Sequence, residues 1–111
     1  MAKTAVYWQK GESLDYLNET EAGIPAGTVL LLGAHIGVAG TEIPAGGTGS
    51  VHMTGVFEID KKAGTALELG DPVKFDETDG IDKDADGTAT VGYAAKAAEA
   101  EEKTALVKLM G

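Results

Sequence analysis

Cysteine and arginine are both missing from the 111 residues. Without cysteine there is neither a disulfide framework nor a thiolate metal site. Without arginine the chain lacks the planar fork that grips phosphates and guanine edges. Its nine lysines stand against eighteen acidic residues, and a formal charge of −9 repels a phosphate backbone. Nucleic acid is therefore not an expected partner. No apolar run approaches the roughly 20 residues of a membrane-spanning helix, so no membrane role is expected. The opening MAKTAVYWQKG lacks the apolar centre of a signal peptide, which predicts a protein made and kept inside a cell or a particle. Aromatics make up only 5% of the residues, including a single tryptophan, Trp8.

Glycine, by contrast, is abundant: sixteen, with three prolines, punctuate the chain into short pieces. This predicts an all-β fold, a small single-domain β-barrel or sandwich of short antiparallel strands with at most one or two helical turns. At 11.3 kDa such a domain buries roughly 65% of its unfolded surface, enough for a core without staples. The organising stretch is residues 49–60, GSVHMTGVFEID. Val51, Met53, Gly55, Phe57 and Ile59 alternate with His52, Thr54, Val56, Glu58 and Asp60, the period of a strand with one buried face. Read as one strand it spans roughly 33 Å and crosses the domain, bending at Gly55.

Further strands are expected over residues 13–17, 29–32, 35–39, 73–75, briefly at Ile81, then 88–95 and 104–110. Tyr16, Leu17, Phe57 and Ile59 are expected in the core. A helical turn is expected around residues 66–69. Residues 96–103 favour helix by composition but have no apolar stripe to bury, and are read as a loop. Ile24-Pro25-Ala26-Gly27 recurs as Ile43-Pro44-Ala45-Gly46, and both copies suit a type I turn with proline second and glycine fourth. Residues 1–10 form either an arm or a first strand, ahead of the domain at 11–111. Trp8, beside Tyr7, has two readings: an interface anchor, or a filler of the core near the start of the barrel.

Few motifs suggest chemistry. Residues 82–87, DKDADG, copy the first six positions of a calcium-binding loop, but its twelfth position needs a bidentate Glu and holds Tyr93. A solvated acidic turn is the favoured reading, and no metal ligand is assigned. Residues 46–50 are glycine-rich, yet no Gly-Lys dipeptide occurs to make a phosphate loop. His35 and His52 share no metal-ligand spacing, and Ser13 and Ser50 lack a nucleophile-elbow context. A hydrolase pairing His52 with Asp60 is opposed by the strand itself, which separates them by roughly 26 Å. No catalytic residue and no cofactor is assigned.

Taken in order, MAK at the start, Gly37-Val38-Ala39, residues 43–46, Gly55 to Ile59, Gly70-Asp71-Pro72-Val73, Thr90-Val91-Gly92 and Val107-Lys108-Leu109 make a pattern across nearly the whole chain. In it the sequence resembles the bacteriophage capsid cement, or decoration, proteins, a family formerly catalogued as a domain of unknown function. Some relatives carry a RecA/RadA-type recombinase label, from which this chain departs by having no nucleotide-binding loop. The resemblance implies a non-enzymatic virion protein on the capsid surface, in the host cytoplasm before assembly. It further implies binding to the major capsid protein, association as a homotrimer, and no small-molecule substrate. Val6, Tyr7 and Trp8 are the candidates for capsid contact, by addition of residues 2–9 to a sheet edge of the shell. The rival reading is a soluble module binding calcium or carbohydrate at the acidic residues 76–86.

Overall fold

The computed structural model describes residues 2–111. Met1, part of the arm or strand expected at residues 1–10, lies outside the described residues. Nine strands follow in order: β1 (Ser13–Leu17), β2 (Val29–Leu32), β3 (His35–Ala39), β4 (Thr48–His52), β5 (Thr54–Asp60), β6 (Pro72–Asp76), β7 (Gly80–Lys83), β8 (Gly92–Ala94) and β9 (Thr104–Met110). The fold is all-β, with no helix among the described residues. All pairings between these strands are antiparallel, in a four-stranded sheet ordered β1-β4-β3-β2 and a five-stranded sheet ordered β5-β9-β8-β6-β7.

The stretch expected as one bent strand is two. At Met53, not Gly55, the chain passes from the first sheet to the second: His52 pairs with Ser13 and Val38, whereas Thr54 pairs with Met110. The inward face nevertheless continues unbroken, since Val51, Met53 and Ile59 are buried and Gly55 and Phe57 half-buried. Alternation records which way a side chain points, not which sheet the backbone joins.

The two sheets are built on one plan. In the first, Val38 pairs with His52 and Ala39 with Val51; in the second, Tyr93 pairs with Lys108 and Ala94 with Val107. The Gly40 N–H bonds to the Ser50 carbonyl at 2.9 Å, as the Ala95 N–H bonds to Leu106 at 2.8 Å. Ile24 and Ile43 exchange a pair of backbone bonds, as do Leu67 and Ala98. The Gly27 N–H reaches the Ala39 carbonyl at 2.7 Å, and the Gly70 N–H reaches Ala94 at 2.8 Å. The chain is therefore an internal duplication, with β1, β2, β3 and β4 answered by β5, β6, β8 and β9. Each unit encloses its own cluster: Tyr16, Ile24, Leu30, Leu32, Ala39, Ile43, Val51 and Met53 correspond to Ile59, Leu67, Val73, Phe75, Ala94, Ala98, Val107 and Leu109. The seam between units is closed by Ile36 and Val38, which leave the first cluster to pack with the second.

Two of the buried polar groups, Asn18 and Lys61, also correspond. Asn18, fully buried, donates from Nδ2 to the carbonyls of Ala22 at 2.8 Å, Ile43 at 3.0 Å and Pro44 at 3.3 Å. At the same place after β5, Lys61 is 6% exposed and donates from Nζ to the carbonyls of Lys62, Thr65 and Ala100. A buried polar group left unpaired is costly, and each of these donors is satisfied by the loops it ties down.

The units differ at one insertion. Where Leu32 turns through Gly33 and Ala34 into β3, the second unit runs on through β7 and the loop that follows before reaching β8. Ile81 of β7 is fully buried in the second cluster, and it bridges Lys61 just beyond β5, with the Lys62 N–H on the Ile81 carbonyl at 2.8 Å. β7 thus joins the far edges of the five-stranded sheet into a small barrel. Gly80 permits that closure: its φ is +84°, and a Cβ there would lie 2.3 Å from the Asp60 carbonyl oxygen. The first unit has no such strand, its sheet ends at β2, and Tyr16, Ile24, Leu30 and Leu32 remain half-buried.

Other expectations are corrected by these bonds. The Ile24 carbonyl accepts from the Ile43 N–H and the Ile43 carbonyl from the Ile24 N–H, and neither closes a turn. The turns start one residue later, with Thr28 N–H on the Pro25 carbonyl at 3.2 Å and Gly47 N–H on Pro44 at 2.9 Å. Gly27 and Gly46 then fall third, with φ of +87° and +74°, the type II arrangement rather than type I. Residues 66–69 form no helical turn, because Leu67 is held by Ala98. Of residues 88–95 only Gly92–Ala94 is a strand. Leu17, placed in the core by its neighbours, is 50% exposed at the end of an edge strand.

Candidate functional site

Residues 2–11 carry no strand and lie on the surface ahead of β1. Val6, Tyr7 and Trp8 are 86%, 82% and 89% exposed, so the core-filling reading of Trp8 gives way. The arm is anchored at its root, where the Met53 N–H bonds to the Glu12 carbonyl at 2.8 Å and the Gln9 side chain reaches the Ser13 carbonyl at 3.4 Å. Three consecutive large apolar side chains in water are an unusual arrangement, because exposed apolar area is normally scattered rather than contiguous.

The acidic region does not assemble a cation site. Asp84 is buried, and its Oδ2 accepts from the Thr90 hydroxyl at 2.6 Å and the Ala89 N–H at 3.1 Å. The Thr90 bond foremost holds its carboxyl below the usual carboxylate range. Burial opposes the Asp82 charge, but the Thr65 hydroxyl and the Lys83 N–H, each 2.8 Å from Oδ1, outweigh it and hold that carboxyl low. Asp76 accepts from the N–H groups of Asp79 and Thr78, which lower it likewise. The carboxylates are engaged as acceptors by nearby N–H groups and by the Thr65 and Thr90 hydroxyls. Among the described residues no group of three His, Asp or Glu side chains converges as metal ligands.

Ser13 and His52 are a cross-strand pair of β1 and β4, with Oγ 3.3 Å from Nδ1, and the imidazole lies beside the Phe57 ring at 6.1 Å between centroids. No carboxylate is hydrogen-bonded to that imidazole, so the orienting partner of a nucleophile–base–acid arrangement is not brought to it. His35 stands apart, exposed at the head of β3.

The molecule is thus an exposed apolar arm on a duplicated, glycine-turned β body. A family model described as phage cement protein matches residues 8–109. The chain belongs to the phage cement protein family. As a phage cement protein it is a structural component of the virion, and the β body just described is its fold. Comparison with curated proteins finds no match. Among solved structures it is similar to the head fiber gp8.5 N base in bacteriophage phi29, at 15% identity over 87% of this chain and 93% of that one, with a TM-score of 0.47. Of the arm's apolar trio, Trp8 falls within the matched residues, whereas Val6 and Tyr7 precede them. Sequence reading left residues 1–10 as an arm or a first strand and missed the open edge at β2, whose signal was three leucines in a strand with no charge or proline to guard it.

Proposed function

We propose that this cement protein decorates the outer surface of a bacteriophage capsid, binding the major capsid protein shell as a homotrimer after a soluble phase in the host cytoplasm. The observation that carries the reading is the arm of a cement-family chain, with Val6, Tyr7 and Trp8 presented to solvent. In an extended segment Val6 and Trp8 share one face and Tyr7 takes the other. Such a segment adds to a sheet edge through its backbone while its side chains select the site. A net charge of −9 favours solubility before assembly. Repetition by symmetry turns modest contacts into firm attachment.

The test mixes purified protein with undecorated, expanded heads and images them. The expected result is added density at the threefold positions. Deleting residues 2–9 is expected to abolish that density while the remaining domain keeps its circular dichroism and melting transition. Undiminished decoration by the shortened chain would remove the arm from the interface.

A further inference from the structure

The second unit shows what the first lacks. Beyond β6 lies β7; beyond the corresponding β2 lies nothing, and among the described residues its outer edge pairs with no backbone. We propose that this vacant lane is filled by residues 4–9 from the arm of a second copy, added antiparallel to β2 as β7 is added to β6. The proposal rests on the trimeric part of the reading above and assigns the arm its partner in the free protein, before any shell is met.

Three observations choose this occupant. The first is the chemistry of the edge. In the second unit the lane's outward pair is polar, Lys74 opposite Asp82, and only its inward pair, Phe75 opposite Ile81, is apolar. β2 is apolar on both faces: Leu30 and Leu32 point into the half-open cluster, and Leu31 points out, 43% exposed. A fitting strand must be apolar on both faces over three consecutive residues, and Val6-Tyr7-Trp8 is such a run. Val6 and Trp8 would cover Leu30 and Leu32, with Tyr7 against Leu31.

The second is charge. Residues 2–11 carry Lys3 and Lys10 and no acid, in a chain of net charge −9. At the head of β2, beside Val29, opens a groove of about 440 Å³ rimmed by Glu58, Asp60, Glu77 and Asp79. In the antiparallel register that sets Val6 opposite Leu32, Lys10 falls opposite Thr28, a lining residue of this groove, and meets its carboxylates.

The third is connectivity. β7 bridges Lys61 in parallel, so a strand in the same lane of the first unit runs parallel to β1. Parallel neighbours need a crossover of about a dozen residues. Only Gln9 to Glu12 separate Trp8 from β1, so a chain cannot place its own arm there in that direction. A neighbouring copy is under no such limit. The contact is heterologous, arm to edge, and such a contact closes into a ring where the rotation between copies completes a circle.

Trp8 is the only tryptophan, so its fluorescence reports the arm directly. Sedimentation velocity on the free protein, without heads, is expected to give a trimer with blue-shifted emission. A chain lacking residues 2–9 keeps the edge and loses the arm. A Leu31→Pro chain keeps the arm and loses the edge, since the ladder with β3 leaves the Leu31 N–H pointing outward; Leu31→Lys serves the same end should proline disturb folding. Each alone is expected to sediment as a monomer. Mixed, they are expected to form a one-to-one heterodimer whose Trp8 emission shifts to the blue. A full-length monomer, with Trp8 either exposed or buried by its own chain, overturns the proposal, as does a mixture that stays monomeric or an armless chain that still assembles. A monomer that nonetheless decorates heads would sink this inference and the trimeric part of the reading while leaving capsid binding standing; an arm-linked trimer that ignores heads would sink capsid binding alone.

Discussion

The first and second units share register, turn placement and cluster positions, yet one is an open sheet and the other a closed barrel. The difference is a single insertion carrying Ile81. Equivalent residues consequently differ in burial: Leu67 is 2% exposed and Val73 fully buried, while their counterparts Ile24 and Leu30 remain half-buried. One plan thus yields a self-sufficient body and a body with an edge to offer, and the distinction lies in strand count rather than in side-chain chemistry.

The largest effect that would break the comparison is removal of the closing strand's contribution. Ile81→Ala should destabilise by about 2–5 kcal/mol, the usual range for emptying a buried aliphatic site. Gly80→Ala should cost more than about 2 kcal/mol, because a left-handed φ is unfavourable for alanine and the new methyl meets backbone at Asp60. Leu32→Ala, at the corresponding rim of the open unit, is expected to cost about 1 kcal/mol in the arm-deleted chain, since less area leaves water. Urea melts of the three variants would rank them, and equal losses would contradict the open-versus-closed distinction.

Next come the paired polar anchors. Asn18→Ala and Lys61→Ala should each cost about 1–3 kcal/mol by leaving carbonyls without donors. Hydrogen exchange should then report opening of residues 19–23 in one variant and of residues 62–66 in the other. Loss of protection in both loops from either change would mean that the units do not behave separately.

Acid should separate the inserted loop from the rest. Asp84 has its carboxyl depressed in the fold, so its contribution is present above the ordinary carboxylate value of about 3.9 and fades as pH falls through the lower folded value. Asp84→Asn removes that titration. Its melting temperature should fall less steeply than the parent's below the carboxylate range, and identical slopes would show that the Thr90 bond carries no linked proton.

The smallest effect is at the arm. Trp8→Ala should change the stability of the isolated subunit by less than about 0.5 kcal/mol, because the side chain is 89% exposed. A larger loss in dilute solution would mean that the arm packs on its own chain.

Much of this was readable from residues alone. β1, β2, β3 and β9 have the bounds expected from alternation and glycine punctuation, and the inward face from Val51 to Ile59 was identified through a change of sheet. The duplication was not, because equivalent positions keep their backbone bonds and inward orientation rather than identity. Tyr16 stands for Ile59, Ile43 for Ala98 and Asn18 for Lys61, and the inserted β7 breaks the period that a repeat search requires. The surviving traces are short: Gly37-Val38-Ala39 against Gly92-Tyr93-Ala94, and Val51-His52-Met53 against Val107-Lys108-Leu109. The arm's exposure was legible only as an alternative, since nothing in an apolar triplet says whether its partner is in the same chain. The turn type was misread because it depends on which carbonyls a distant bridge has already engaged.

The arm's root has a mechanical consequence. Glu12 is stitched to Met53 at the seam, and β1 runs antiparallel to β4 through five residue pairs from Ser13–His52 to Leu17–Thr48. A tug along β1 through the arm therefore loads those rungs side by side, as in pulling a zip lengthwise, instead of tearing them open one after another.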